Sequence, residues 1–186
     1  MKKLNLGLAV LTLGAVSTVF AAPTGTINFT GTLVDGTCDA TIGSTSSVNG
    51  DFILPTVNIA SLAAANETYG DTPFIIKLSG AGCKTTGGTV KIATPYFEAD
   101  PTKVNAAGRL INTASSDKAD KVEIQLVTST KDVIDLNEAP VTQKTTTGID
   151  LGSNVTDFKY FARYFATDTA AKGNVEGSVT YSILYK

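Results

Sequence analysis

The chain has 186 residues, with 15 Lys and Arg against 17 Asp and Glu, and it contains neither His nor Trp. Its basic residues are scattered singly, so it lacks the electrostatic footprint of a nucleic-acid binder. Without His, neither a Ser-His-Asp nor a Cys-His arrangement can be assembled, and the composition points away from an enzyme.

Residues 1–21 read as a secretory signal peptide. Lys2 and Lys3 form a charged start, residues 4–16 an apolar run broken by Asn5, Gly7, Thr12 and Gly14, and Val19-Phe20-Ala21 precedes the expected cut. That run is shorter than the roughly 20 residues needed to cross a bilayer. The expected product is a soluble exported chain of about 165 residues, enough for one domain with its own core. Loss of Lys2 and Lys3 leaves 13 basic against 17 acidic side chains, a net charge of −4.

Residues 25–33 alternate: Gly25, Ile27, Phe29, Gly31 and Leu33 fall on one face of an extended strand, and Thr26, Asn28, Thr30 and Thr32 on the other. Cys38 and Cys83, the two cysteines, are most simply a disulfide in an exported chain. The alternatives are two free thiols or a two-ligand metal site, the latter disfavoured by the absence of His. Residues 51–57 have strand character with a proline suited to an edge, and 59–65 suit a brief helical turn. Residues 72–78 form a strand ending before Gly80 and Gly82, and 89–93 another after Gly87-Gly88.

Further along, 105–112 should be a loop entering a short strand at 109–111. Residues 122–127 alternate cleanly, and 131–136 form a short strand after a turn. Residues 157–167 put Phe158, Tyr160, Ala162, Tyr164 and Ala166 on one face but Phe161 and Phe165 on the other, the mark of a central strand. Gly173 opens a final strand with Val175, Gly177, Val179, Tyr181, Ile183 and Tyr185 on one face. Many short strands, regular turns and no long amphipathic helix predict one all-β sandwich of immunoglobulin type.

Other motifs are weak. Gly87-Gly88 lacks the Lys-Ser/Thr of a phosphate-binding loop and reads as a turn. Asp117 with Asp120, or Asp132 with Asp135 and Glu138, could be offered as acid-base pairs or calcium ligands, but acidic residues on polar loops are usually solvated and no calcium-loop spacing is present. Asn-x-Thr triplets at Asn28, Asn66 and Asn154 match glycosylation acceptors, as a threonine-rich chain will by chance.

The alternating amino-terminal segment with its glycine, the Cys38 and Cys83 pair, the 161–167 stretch, Gly173 as fourteenth residue from the end and the penultimate Tyr185 occur together. In this combination the chain resembles a chaperone-usher pilus subunit, most similar to the type 1 fimbrial major pilins of Gram-negative bacteria. The resemblance implies an incomplete immunoglobulin-like sandwich lacking its last strand, spanning residues 37–186, behind a donor-strand extension over 22–36. It implies that Ile27, Phe29 and Leu33 fill pockets in a neighbouring subunit and that Gly31 fits a shallow one. It implies too that the final strand, from Gly173 through Val179, Tyr181, Ile183 and Tyr185, pairs with a periplasmic chaperone, against whose basic residues the end carboxylate docks.

The partners implied are that chaperone, an outer-membrane usher and neighbouring subunits of a homopolymer, with export through the periplasm to a cell-surface fimbrium supporting adhesion. No cofactor, metal, nucleic acid or small-molecule substrate is implied. The terminal Lys186 departs from the family pattern by placing a positive side chain beside that carboxylate. A different reading of the same residues is a self-contained exported β-sandwich that binds a ligand such as a carbohydrate; in it the first strand would belong to its own domain.

Overall fold

The computed structural model describes residues 38–43, 47–80, 83, 92–145, 148–151 and 157–186, all within the unit Val34–Lys186. The signal peptide, the 25–33 strand with Ile27, Phe29, Gly31 and Leu33, and Asn28 and Asn154 therefore lie outside the described residues.

These residues form seven strands: β1 (Asp39–Ile42), β2 (Thr68–Ser79), β3 (Ile92–Phe97), β4 (Val122–Thr128), β5 (Ile149–Asp150), β6 (Asp157–Ala166) and β7 (Tyr181–Tyr185). They make two antiparallel sheets, ordered β1-β2-β6-β4 and β5-β3-β7. A single 3-10 turn, Ile59–Leu62, falls where a brief helical turn was expected; Asn58 caps it by accepting from Ala60 N–H at 2.9 Å.

The central strand is β6, flanked by β2 and β4. Its position explains its double-sided pattern. Phe158 and Tyr160 enter the core, while Phe161 and Phe165 lie under cations on the opposite side, Lys131 Nζ 3.1 Å and Arg109 Cζ 3.9 Å from the ring centres. Across the sandwich, Ile76, Leu78, Phe97, Leu126, Ile134, Leu136, Phe158 and Tyr160 are almost wholly sequestered from solvent. Tyr160 packs on Phe74 and Phe97 with ring centres 5.4 and 5.2 Å apart.

Two prolines sit inside strands without breaking the ladder. β1 pairs with residues 76–79 only, so Pro73 of β2 has no β1 neighbour, and β5 reaches only Ile92 and Ala93, so Pro95 of β3 has no β5 neighbour. A residue without an N–H fits where the ladder is one-sided.

Several expected strands are corrected. The 51–57 stretch joins no ladder, 131–136 contributes one bridge, Val127 to Val133, and 109–111 contributes bridges at Leu110 alone. Strand β3 extends past the expected end at Ala93 through Pro95 to Phe97, and β7 begins at Tyr181, not near Gly173. Within residues 174–180, Asn174 forms one isolated bridge to Lys118, and beyond it the backbone meets neighbours through scattered hydrogen bonds, such as Thr113 N–H to Glu176 O at 2.8 Å and Glu98 N–H to Thr180 O at 2.9 Å. Alternation reports two faces in different surroundings, but a ladder also requires a neighbour on the edge.

Candidate functional site: an apolar groove beside the last strand

β7 hydrogen-bonds to β3 along one edge; along its other edge it has no ladder among the described residues. Beside that edge lies a cavity of about 720 Å³. Its floor is Phe74, Ile76, Leu126 and Ala162 from the larger sheet; Val179, Tyr181 and Ile183 form one wall, and Ala40, Ile42, Phe52 and Leu54 the other. A further hollow of about 280 Å³, lined by Ile53, Tyr164, Val175 and Glu176, shares Phe52, Leu54, Ile124 and Gly177 with the first. The groove thus runs on toward residue 175.

The alternation read along 175–185 holds here in side-chain direction: Val175, Val179, Tyr181, Ile183 and Tyr185 all pack against the core, yet each stays only partly buried. Half-burial on the inward face means that no strand among the described residues covers this side. The opposite lip carries still more exposed apolar surface. Ile53 is 92% exposed and Phe52 41%, although the Phe52 ring lies 5.6 Å from that of Phe74.

Three tyrosine hydroxyls hold this lip. Tyr185 accepts from Cys38 N–H at 3.0 Å, Tyr181 donates to Val48 O at 3.1 Å, and Tyr164 donates to Pro55 O at 3.1 Å. Burial raises the pKa of all three above the ordinary value near 10; at Tyr185 the Cys38 N–H opposes the shift and the Asp39 carboxylate adds to it. Gly50 belongs to the same lip: a Cβ there would come within 2.2 Å of Ile42 Cγ2, so the chain folds back over β1 only without a side chain.

Cys38 and Cys83 are joined by a disulfide, Cα atoms 4.6 Å apart, which ties the start of β1 to the residues just beyond β2. Gly173, expected as part of the final strand, lies eight residues before β7 and has another role. Its φ is +154°, and a Cβ would sit 2.3 Å from Asp117 O and 2.4 Å from Ala119 N, so the backbones cross too closely for a side chain. Lys186 exchanges two backbone hydrogen bonds of 2.9 Å with Ile92, continuing the pairing of β7 with β3 to the chain's last residue.

The acidic residues weighed as catalytic or calcium groups serve turns. Asp132 accepts from Thr130 Oγ1 at 2.6 Å, Asp135 from Asn137 N–H at 2.9 Å and Asp120 from Lys121 N–H at 3.0 Å. Sequence reading missed the groove floor and the lip. Phe74 and Ile76 stood inside a predicted strand, but nothing local told that they would line a groove in which Phe74 stays half-exposed. The only trace of the lip was the apolar, proline-containing character of 51–57.

Two antiparallel sheets packed on a common core, with an apolar groove along an edge of β7 that has no ladder among the described residues, define an immunoglobulin-like sandwich that lacks a strand. Residues 54–186 match the family model described as FimA: Type-1 fimbrial protein, A. The F17 fimbrial protein of Escherichia coli is 37% identical over 187 residues, covering 100% of both chains. The major fimbrial subunit SMF-1 of Stenotrophomonas maltophilia is 36% identical over 167 residues, with 88% of this chain and 94% of that one covered. Among solved structures, the P pilus rod subunit PapA shares the fold, with a TM-score of 0.53 over 87% of this chain and 100% of that one at 14% identity. The chain belongs to the type-1 fimbrial protein A family. It is a structural pilus subunit, found with other pilus subunits in a fimbrium at the cell surface.

Proposed function

We propose that the groove beside β7 receives a β-strand from another molecule, and that residues 22–36 of this chain are the strand it gives to the next copy. The observation that supports this reading is the apolar slot along the free edge of β7. An entering strand would complete the ladder and cover the half-buried Phe74, Val179, Tyr181 and Ile183 with its own alternating side chains. This is the strand-addition mode for which chaperone–pilin complexes are the established example.

Ile27, Phe29 and Leu33 have the spacing to fill successive positions on one side of such a strand, and Gly31 leaves one shallow. Burying three apolar side chains contributes roughly 1.5–3 kcal/mol each, before any backbone hydrogen bonds are counted. An open sheet edge over an apolar slot is an aggregation hazard, so the first occupant is a strand lent by a periplasmic chaperone that pairs with the final stretch from Gly173 to Lys186 through Val179, Tyr181, Ile183 and Tyr185. Exchange for residues 22–36 of an incoming subunit follows at an outer-membrane usher and yields a homopolymer. Export through the periplasm and oxidation of the Cys38 and Cys83 pair belong to the same route.

The test moves residues 22–36 to the carboxyl end behind a short turn and compares this rearranged chain with the native order, both made in an oxidising compartment. A stable monomer from the rearranged chain, against ladders or aggregates from the native order, supports the proposal. If the native order is the stable monomer and rearrangement destabilises it, residues 25–33 complete their own domain and the proposal fails. Within the native order, Gly31→Leu should still give a folded subunit but no fibres.

A further inference from the structure

Apolar surface left half-exposed along a groove is under pressure to close. Drawing the lip onto β7 would hide the half-buried Phe74, Val179 and Ile183 from water, a gain that scales with the area covered. Something must hold the walls apart if a strand is to enter. The two tyrosines of β7 are placed to do this.

Tyr181 and Tyr185 are four residues apart on the inward face of β7, with Ile183 between them in the groove wall. Each reaches the opposite lip with its hydroxyl: Tyr185 to the N–H of Cys38, Tyr181 to the C=O of Val48. Both partners are backbone groups, distant in sequence by 147 and 133 residues, and both lie outside the β1 ladder. Main-chain partners cannot swing away as side chains can, and a tyrosine ring has only two side-chain torsions. A tyrosine with its hydrogen bond can span up to roughly two strand spacings of about 4.8 Å, the gap that one inserted strand requires.

We infer that Tyr181 and Tyr185 are positioning residues for strand acceptance, acting as two struts that fix the lip at Cys38 and Val48 one strand's width from β7. The inference rests on the proposed strand-accepting role of the groove. Removing only the hydroxyls keeps the rings and the apolar walls but frees the lip to settle onto the floor. An incoming strand must then reopen the slot before it can pair.

The test uses the oxidised full-length chain from Ala22 onward and a fluorescent peptide with the sequence of residues 22–36, with capture followed by anisotropy. Tyr181→Phe combined with Tyr185→Phe should slow association about tenfold, the equivalent of one to two net hydrogen bonds, and change dissociation less than twofold. Unchanged or faster association, or an effect confined to dissociation, overturns the strut. Failure of the unsubstituted chain to capture the peptide overturns instead the strand-accepting role itself. Should the double variant not fold, amide exchange at Cys38 in Tyr185→Phe decides: exchange at least tenfold faster there, with β2 amides unchanged, supports the strut, and unaltered protection of Cys38 refutes it.

Discussion

Asn112 shows how one side chain secures the approach to the groove. It is 4% exposed, its amide donates to Ala119 O at 3.0 Å and Asn174 O at 2.9 Å, and its carbonyl accepts from Ala114 N–H at 3.1 Å and Glu176 N–H at 3.0 Å. All four hydrogen-bonding positions of the amide are used. They lock the 112–119 loop to residues 174–176, beside the close crossing at Gly173, so the chain enters the groove wall from a fixed point. Asn112→Ala should lower stability by about 2–3 kcal/mol, because buried backbone groups lose their partners, and Asn112→Asp should do no better, since a carboxylate cannot donate. Denaturant midpoints measure this; a loss below about 0.5 kcal/mol, the level of an ordinary surface substitution, would contradict it. Gln143, 7% exposed, works similarly at the other sheet: it accepts from Phe97 N–H at 2.8 Å and donates to Phe97 O at 3.0 Å, standing in for a neighbouring strand where β5 has ended.

Among the elements, β1 depends most on a covalent tie. It has four residues and one partner, β2, yet it supplies Ala40 and Ile42 to the groove wall. The bridge from Cys38 to Cys83 closes a loop with a separation of 45 residues, for which the chain-entropy account gives about 4 kcal/mol, although that mechanism is model-dependent. Replacing both cysteines by Ser should remove a stability of this order, read as a lowered thermal midpoint in oxidising buffer with no further fall on adding reductant. Because Cys38 also donates to Tyr185, the loss should reach strand capture as well as folding. By contrast β6, held on both sides and buried at Phe158 and Tyr160, needs no such tie.

At the scale of the whole molecule, stability should fall in alkaline solution. Burial raises the pKa of Tyr160, Tyr164, Tyr181 and Tyr185, most strongly for Tyr160, where the nearby Thr145 hydroxyl offsets part of the effect. Neither the Tyr160 nor the Thr145 hydroxyl completes a regular hydrogen bond. The unfolded chain loses these protons near pH 10 while the folded chain still holds them, so unfolding is favoured as pH rises. The tyrosine contribution is therefore complete below pH 10 and is lost above it, as pH climbs through the raised values. The unfolding midpoint should drop as pH rises past 10, with tyrosinate absorbance appearing together with loss of the fold. Tyrosinate forming fully in a chain that remains folded would show that burial does not hold these protons.

What the chain by itself determined is what depends on side-chain alternation and residue type. β4 stood out because residues 122–127 alternate, the doubled apolar pattern over 157–167 announced β6 as a central strand, and an even cysteine pair pointed to the bridge. What only the tertiary structure decided concerns edges. The stretches 51–57, 131–136 and 174–180 carry strand-like sequence but lack a ladder, whereas Thr94–Pro95–Tyr96–Phe97 carries a proline and has one. Whether β7 is covered or open on its second side depends on chain brought from far away, and so do the tyrosine hydroxyls that reach Cys38 and Val48. Alternation is a local property set by the pleat, while an edge partner is a long-range one, and the groove is made of edges.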